Sequence, residues 1–243
     1  MAKTVSRLEN PISFIAYQAR RALKHPGIFL QVRPFELLEA EMAFRNYRMP
    51  LNQFVSIVTR CSTDQVGTAL TELSLPMEVQ KHTVRECLFA IVRLTKPCVT
   101  IETGCGGGYG ASYILAAMKL NDLGRLYSVD SESYYDPEYF DLPPGTPCGG
   151  VIPSDLRGRW ELHTRSSEVD LPKLFKNIGM VDMFVHDSLH TRENMEFEYN
   201  IAWEYLRPGG ILISHDIWMP WVDFARKVNR TYVVYQHYGA MIR

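Results

Sequence analysis

The stretch C-V-T-I-E-T-G-C-G-G-G-Y-G-A-S-Y-I-L-A-A-M-K-L-N, residues 98–121, decides how the chain is read. Its first residues are apolar and β-branched apart from Glu102, as suits a strand buried on both faces. Residues 109–121 carry apolar side chains at three-and-four spacing and read as a helix. Gly104, Gly106 and Gly108 stand between them, and Gly110 follows in the first turn of the helix. Glycine lets a ligand approach the backbone and permits positive φ without a Cβ penalty. A glycine turn at the carboxyl end of a strand, opening a helix, is where open α/β sheets bind ligands.

Downstream the same texture repeats. Strands are predicted over 125–130, 160–164, 181–187 and 210–216, with helices over 170–177, 193–206 and 221–229, and the strands T-Y-V-V-Y-Q-H and Y-G-A-M-I-R follow. The alternation predicts an α/β fold: a Rossmann-like, mostly parallel seven-stranded sheet with helices on both faces. The last two strands are joined by a turn too short for a crossover helix, so they should pair antiparallel.

Upstream, residues 1–95 read mostly as helix, with apolar stripes at Phe14, Ile15, Ala19, Ala22 and Leu23 and at Phe35, Leu38, Met42 and Phe44. Arg20, Arg21 and Lys24 read as a solvated helix face. A helix over 77–94 leads into the first strand. The expected division is therefore an N-terminal helical cap or extension, residues 1–76, before a sheet domain, residues 77–243. Between the second and third strands, residues 131–159 have no clear helix and exceed ordinary connection lengths, as a functional lid would. Their aromatics Tyr134, Tyr135, Tyr139 and Phe140 either line a pocket or pack on one another.

With 243 residues, 46% hydrophobic and 22% charged, the chain has material for a sizeable core and is not a disordered or collagen-like polymer. A formal charge of −1 offers no broad electrostatic footprint for nucleic acid or an anionic membrane. The five cysteines show neither a disulfide framework nor zinc spacing, and no apolar run approaches the roughly 20 residues of a membrane span. A cytoplasmic protein acting on a small molecule is expected; a homo-oligomer stays open.

Two ligand patterns overlap in the glycine turn. Gly106, Gly108 and Ala111 satisfy G-x-G-x-x-A, the dinucleotide fingerprint, while Glu102, Gly104, Gly106 and Gly108 satisfy E-x-G-x-G-x-G. Asp130, ending the second strand, suits the ribose hydroxyls of either class. Two further blocks choose between them: V-D-M-F-V-H-D-S-L-H-T (181–191) and L-R-P-G-G-I-L-I-S-H-D (206–216). Together with the first block they resemble the class I S-adenosylmethionine-dependent methyltransferases, nearest the small-molecule O-methyltransferases. The resemblance covers residues 77–243. It implies that Glu102, Gly104, Gly106 and Gly108 hold the methionine part of the cofactor and Asp130 its ribose, with Asp187 beside the amino group and the reacting centre. It assigns the turn at 163–168 to adenine, with Ser166 in contact, although Arg165, Ser166 and Ser167 replace the relatives' G-D-S.

Methyl transfer from a sulfonium is an in-line displacement, so alignment and exclusion of water supply much of the rate. A hydroxyl acceptor also needs a base or a cation. His190, three residues after Asp187, is the first candidate base and His215 the second; His186 should face the opposite side of its strand. Asp187 and Asp216 are the candidate ligands for Mg2+ or another divalent cation. Similar O-methyltransferases place an acid where this chain has His215, which either converts the site to a mixed N/O set or removes the metal. The rival readings are an NAD(P)-dependent oxidoreductase and a non-catalytic cofactor-binding scaffold.

Overall fold

The computed structural model describes residues 34–80, 83–132, 135–140 and 142–243. The first apolar stripe, the basic face at Arg20, Arg21 and Lys24, and Tyr134 lie outside the described residues, as does the side chain of Tyr139. Helices α1 (Pro34–Phe44), α2 (Leu51–Thr59), α3 (Thr63–Thr71) and α4 (Glu86–Thr95) precede the sheet. Ser62 starts α3 with a capping box: its hydroxyl accepts from the Gln65 amide while the Gln65 side chain accepts from the Ser62 amide. Lys96, in the left-handed region at φ 50°, and Pro97 end α4 and turn the chain into the sheet.

The helix expected over 77–94 starts later than its periodicity predicts. The amides of Val79 and Gln80 donate to the carbonyl of Pro76, closing a turn, and a 3-10 turn, Thr83–Arg85, runs into Glu86. This offset carries Arg85 toward the strand ends.

The sheet comprises β1 (Val99–Thr103), β2 (Arg125–Val129), β3 (Trp160–His163), β4 (Val181–His186), β5 (Leu206–Ser214), β6 (Val233–Tyr235) and β7 (Tyr238–Ile242), in the order β3-β2-β1-β4-β5-β7-β6. The first five are parallel; β7 pairs antiparallel with both β5 and β6. The expected sheet and its antiparallel end are therefore present, with β7 inserted between β5 and β6. Helices α5 (Tyr109–Asn121), α6 (Ser167–Ile178), α7 (Arg192–Tyr205) and α8 (Met219–Lys227) provide the connections.

Alternation along the strands builds two cores. Met183, Val185, Ile211, Ile213 and Tyr238 face α2, α4 and α5, meeting Phe54, Phe89 and Tyr113. Ile101, Phe184 and Leu212 face α6, α7 and α8, meeting Phe175, Tyr199 and Trp221. Burying each such side chain contributes about 1.5–3 kcal/mol. Trp221 is fully buried, ring-edge against Tyr199 and Tyr232, and anchors α8. Helix α1 packs on α8, while α2 and α3 pack on α4. Residues 47–49 run alongside β6: Arg48 bridges to Val234, whose carbonyl accepts from the Met49 amide and whose amide donates to the Tyr47 carbonyl.

Residues 131–159 hold two 3-10 turns that their sequence does not announce, Pro137–Phe140 and Ser154–Arg159. The segment is bonded to the glycine turn: the Gly149 amide donates to the Gly106 carbonyl and the Val151 amide to the Gly107 carbonyl, both at 2.9 Å.

Candidate active site

Strand register brings the predicted residues together. His186 and Ser214 are partners across β4 and β5, and the His215 amide donates to the His186 carbonyl, so Asp187 and His215 leave adjacent strands side by side. His186 points the other way. Its Nδ1 donates to the buried Glu198 of α7 at 2.7 Å, and Glu198 also accepts from Thr103 at 2.5 Å and Ser188 at 2.7 Å. Burial alone would raise the Glu198 carboxyl, but His186, Ser167 and Thr103 hold it below its usual range. Glu198 thereby ties the ends of β1 and β4 to α7, a structural duty that nothing in its helical spacing reveals.

On the face toward α4 and α5, His215 Nδ1 stands 2.8 Å from Asp187 Oδ1, a hydrogen bond, and Arg85 approaches Asp187 Oδ2 at 3.7 Å. Burial works against charge on both partners of the His215–Asp187 pair. Each offsets it for the other: the imidazole is raised above its ordinary value and the carboxyl held below. His190 behaves differently. Burial, opposed by Asp216 and Asp187 and reinforced by His186, pushes it down to about 4, and its Nε2 is buried without a hydrogen-bond partner.

Among the described residues, the cluster with ligand atoms within 4.8 Å of one another is Asp187, His190 and His215. Asp216, predicted to pair with Asp187 on a cation, is not in that set. It occupies the left-handed region at φ 46° and its Oδ1 lies 3.7 Å from His215 Nε2. One carboxylate already bonded to an imidazole, two nitrogen donors and a guanidinium beside the carboxylate do not fit Mg2+, which takes oxygen ligands in near-ideal octahedral geometry.

At the glycine turn, Gly104, Gly106 and Gly108 all have positive φ. A Cβ on Gly104 would overlap the Asp187 carbonyl oxygen, so the turn and the end of β4 can meet only through glycine. A Cβ on Gly106 would stand 2.5 Å from the Phe140 ring, and one on Gly108 2.6 Å from Ile152. Phe140 in turn stacks on Tyr135, with ring centroids 5.8 Å apart. Tyr135 and Phe140 thus pack on each other, and Phe140 on the glycine turn.

The two acids predicted to hold the cofactor flank this turn. Glu102 is buried, accepts from the Ser128 hydroxyl at 2.5 Å, and is pushed up to about 8 by burial, with Asp187 and Asp130 adding to the rise. Asp130 accepts from the Gly106 amide at 2.6 Å and from Cys148 at 3.7 Å; burial raises it, against the pull of those bonds. Ser166 sits after β3 at the start of α6, where its carbonyl accepts from the amides of Val169 and Asp170 and its side chain makes no capping bond. Acids at the ends of β1, β2 and β4 and a buried guanidinium atom without a partner, Arg85 Nε, suit a nucleoside that carries a zwitterionic amino-acid tail. Arg85 has no motif to announce it; its only signal in the sequence is position, shortly before the first strand.

If the methionine-type ammonium docks beside Glu102, it favours the ionised carboxylate, so binding near pH 7 releases a proton. Affinity for S-adenosylhomocysteine is then expected to rise with pH up to about 8. Calorimetry in two buffers of different ionisation enthalpy reads the proton directly. Glu102→Gln should abolish the release, and an unchanged release in that variant would assign it elsewhere.

Residues 101–217 match the family model described as a methyltransferase domain. No curated protein matches the sequence. Among solved structures, an O-methyltransferase of Bacillus cereus in complex with SAH is similar at 16% identity, covering 79% of this chain and 97% of its own, with a TM-score of 0.47. The O-methyltransferase TomG of Streptomyces achromogenes, in complex with SAM, is similar at 14% identity over 80% and 99%, with a TM-score of 0.46. The Podospora anserina methyltransferase PaMTH1 stands at 12%, 84% and 93%, and 0.46. The strand order speaks independently: a dinucleotide fold runs 3-2-1-4-5-6 in parallel, whereas here an antiparallel β7 enters between β5 and β6. That sheet and the match of residues 101–217 to a methyltransferase domain agree with the methyltransferase resemblance that the sequence carries.

Proposed function

We propose that the protein transfers the methyl group of S-adenosylmethionine to an oxygen of a small-molecule acceptor, with His215 as general base and Asp187 as the residue that orients it. The observation that carries this reading is the 2.8 Å bond between His215 Nδ1 and Asp187 Oδ1 at the mouth formed by β4 and β5. The cofactor, when bound, supplies a methyl group activated on a sulfonium for in-line displacement. Glu102 and Asp187 hold the amino-acid end of it, Asp130 the ribose and Ser166 the adenine side.

With Nδ1–H committed to Asp187, His215 keeps Nε2 as the atom that takes the acceptor's proton. The Asp187 carboxylate stabilises the imidazolium that results. His190, held near 4, is neutral at physiological pH and a poor base; it serves the acceptor as a hydrogen-bonding neighbour. This reverses the order in which the sequence ranks the two histidines. Phe140, Tyr135 and Leu142, lying over the glycine turn, exclude water from the reacting centre.

The acceptor's identity is set by residues 131–159 and the helical extension, residues 1–76. The near-neutral charge favours a small molecule over nucleic acid or an anionic membrane. Among the described residues no helix is long and apolar enough to cross a membrane, in keeping with a cytoplasmic enzyme; light scattering decides whether it pairs with itself.

The test is transfer of labelled methyl from S-adenosylmethionine to a panel of sugars, phenols and carboxylic acids, with release of S-adenosylhomocysteine followed by mass. Binding of NAD without S-adenosylhomocysteine would overturn the reading. Because the donor set does not suit Mg2+, adding Mg2+ to the EDTA-treated enzyme is expected to leave turnover unchanged. Loss of activity restored by adding Mg2+ would return the metal to the mechanism.

A further inference from the structure

Arg85 ends the 3-10 turn ahead of α4, and its guanidinium reaches inward to the strand ends; the side chain is only 15% exposed. Its Nε is buried with no hydrogen-bond partner, and its approach to Asp187, at 3.7 Å, is longer than a hydrogen bond. The Tyr238 hydroxyl, on the same face of the sheet, is likewise buried without a partner. Two buried groups with an unused N–H or O–H donor therefore lie on one face of the sheet, an arrangement that an anion would satisfy.

The surrounding charge narrows the choice. A point one Cβ away from Gly110 lies 3.7 Å from Glu102 Oε2 and 3.9 Å from Arg85 Nε. Arg85 thus has Asp187 beside its guanidinium and Glu102 close by, at the first turn of α5. Acids beside one cation form a pattern complementary to a zwitterion, with the ammonium against the carboxylates and the carboxylate against the guanidinium. A guanidinium also presents paired donors in the fork that a carboxylate accepts.

We infer that Arg85, assisted by the Tyr238 hydroxyl, binds the α-carboxylate at the amino-acid end of the cofactor. This rests on the reading of the cofactor as S-adenosylmethionine. It adds a recognition residue from outside the glycine turn, supplied by the segment before α4. Docking of that segment and recognition of the amino-acid tail then become one event.

The test compares S-adenosylhomocysteine with S-adenosyl-3-thiopropylamine, the same molecule without its carboxylate, by calorimetry on the full chain. Arg85→Gln is expected to weaken S-adenosylhomocysteine by about 10-fold to 100-fold while leaving the decarboxylated analogue within about twofold; Arg85→Lys should recover part of the loss. Tyr238→Phe, a smaller change that keeps the buried ring, is expected to weaken S-adenosylhomocysteine alone by about 3-fold to 10-fold. Equal losses for both ligands would make Arg85 merely structural and overturn the inference, as would unchanged affinity for S-adenosylhomocysteine. If the unaltered protein binds neither ligand, the cofactor reading itself falls.

Discussion

His215→Ala is expected to lower turnover by about 10²-fold to 10⁴-fold while leaving affinity for S-adenosylhomocysteine within a few-fold. On the proposed reading the two measurements separate, because His215, bonded to Asp187, would meet the acceptor, whereas Glu102, Asp130 and the glycine turn would hold the cofactor. The pH profile adds an independent sign. The His215 pKa is raised above the ordinary 6.5, chiefly by Asp187 and Asp216 working against burial. A base must be unprotonated, so kcat/KM in the unaltered enzyme should climb through an acid limb centred above pH 6.5. Asp187→Asn removes the charge that raises it, and the remaining activity should show that limb at lower pH. Stability runs in the opposite direction: the ion pair stabilises the fold fully below pH 6.5 and its contribution fades as pH rises through the raised value. His190→Ala, by contrast, should leave the acid limb in place. If His215→Ala keeps full turnover and His190→Ala does not, the assignment of the base is reversed.

Gly104→Ala is expected to cost more than about 4 kcal/mol of stability, lowering Tm by about 10 °C or more, and to abolish cofactor binding. Two penalties coincide there. The residue has φ 79°, where an L side chain is strained, and its Cβ would overlap the Asp187 carbonyl oxygen, a backbone atom that cannot rotate away. Relief would require β4 to separate from the turn, displacing Asp187 and with it His215. Gly145→Ala is the matched control, since it has φ 82° and open space around it. It should cost about 1–2 kcal/mol and leave binding unchanged. Thermal melts of the two variants compare the penalties; equal shifts would show that close packing against β4 contributes nothing.

Legibility in the sequence follows the range of the forces involved. The five parallel strands are readable because apolar runs (β1, β4, β5) or alternating apolar residues (β2, β3) stand between polar turns, and their carboxyl ends bring up Glu102, Asp130, Asp187 and His215 as candidates without any knowledge of the fold. The insertion of β7 between β5 and β6 is not readable, because pairing partners depend on which edge is free after the parallel strands assemble. The start of α4 is misjudged because 77–94 keeps helical apolar spacing, while the Pro76 carbonyl captures the amides that a helix would have used. Arg85 escapes notice for a related reason. On a helix pattern an arginine reads as a solvated face, and only the tertiary position of its turn aims it at Asp187. The ranking of the two histidines is equally non-local: the spacing from Asp187 favours His190, but cross-strand register gives the bond to His215. The 131–159 segment is recognisable as an unusual length of chain, but its bonds to the carbonyls of Gly106 and Gly107 lie in backbone geometry that side chains do not encode.

The placement of β7 has a consequence for the order in which the molecule can be assembled. β6 reaches the main sheet through β7, and β7 is made after it, so the hairpin must form and then dock by its later strand. Residues 47–49, from the opposite end of the numbering, rest on β6. They have no strand to rest on until that hairpin is in place. During synthesis the early helix α2 must therefore wait with one flank uncovered while the whole parallel sheet is completed. Contacts of such long separation fold slowly, which leaves apolar side chains such as Phe54 exposed during that interval and makes this the period when the nascent chain is most prone to aggregate.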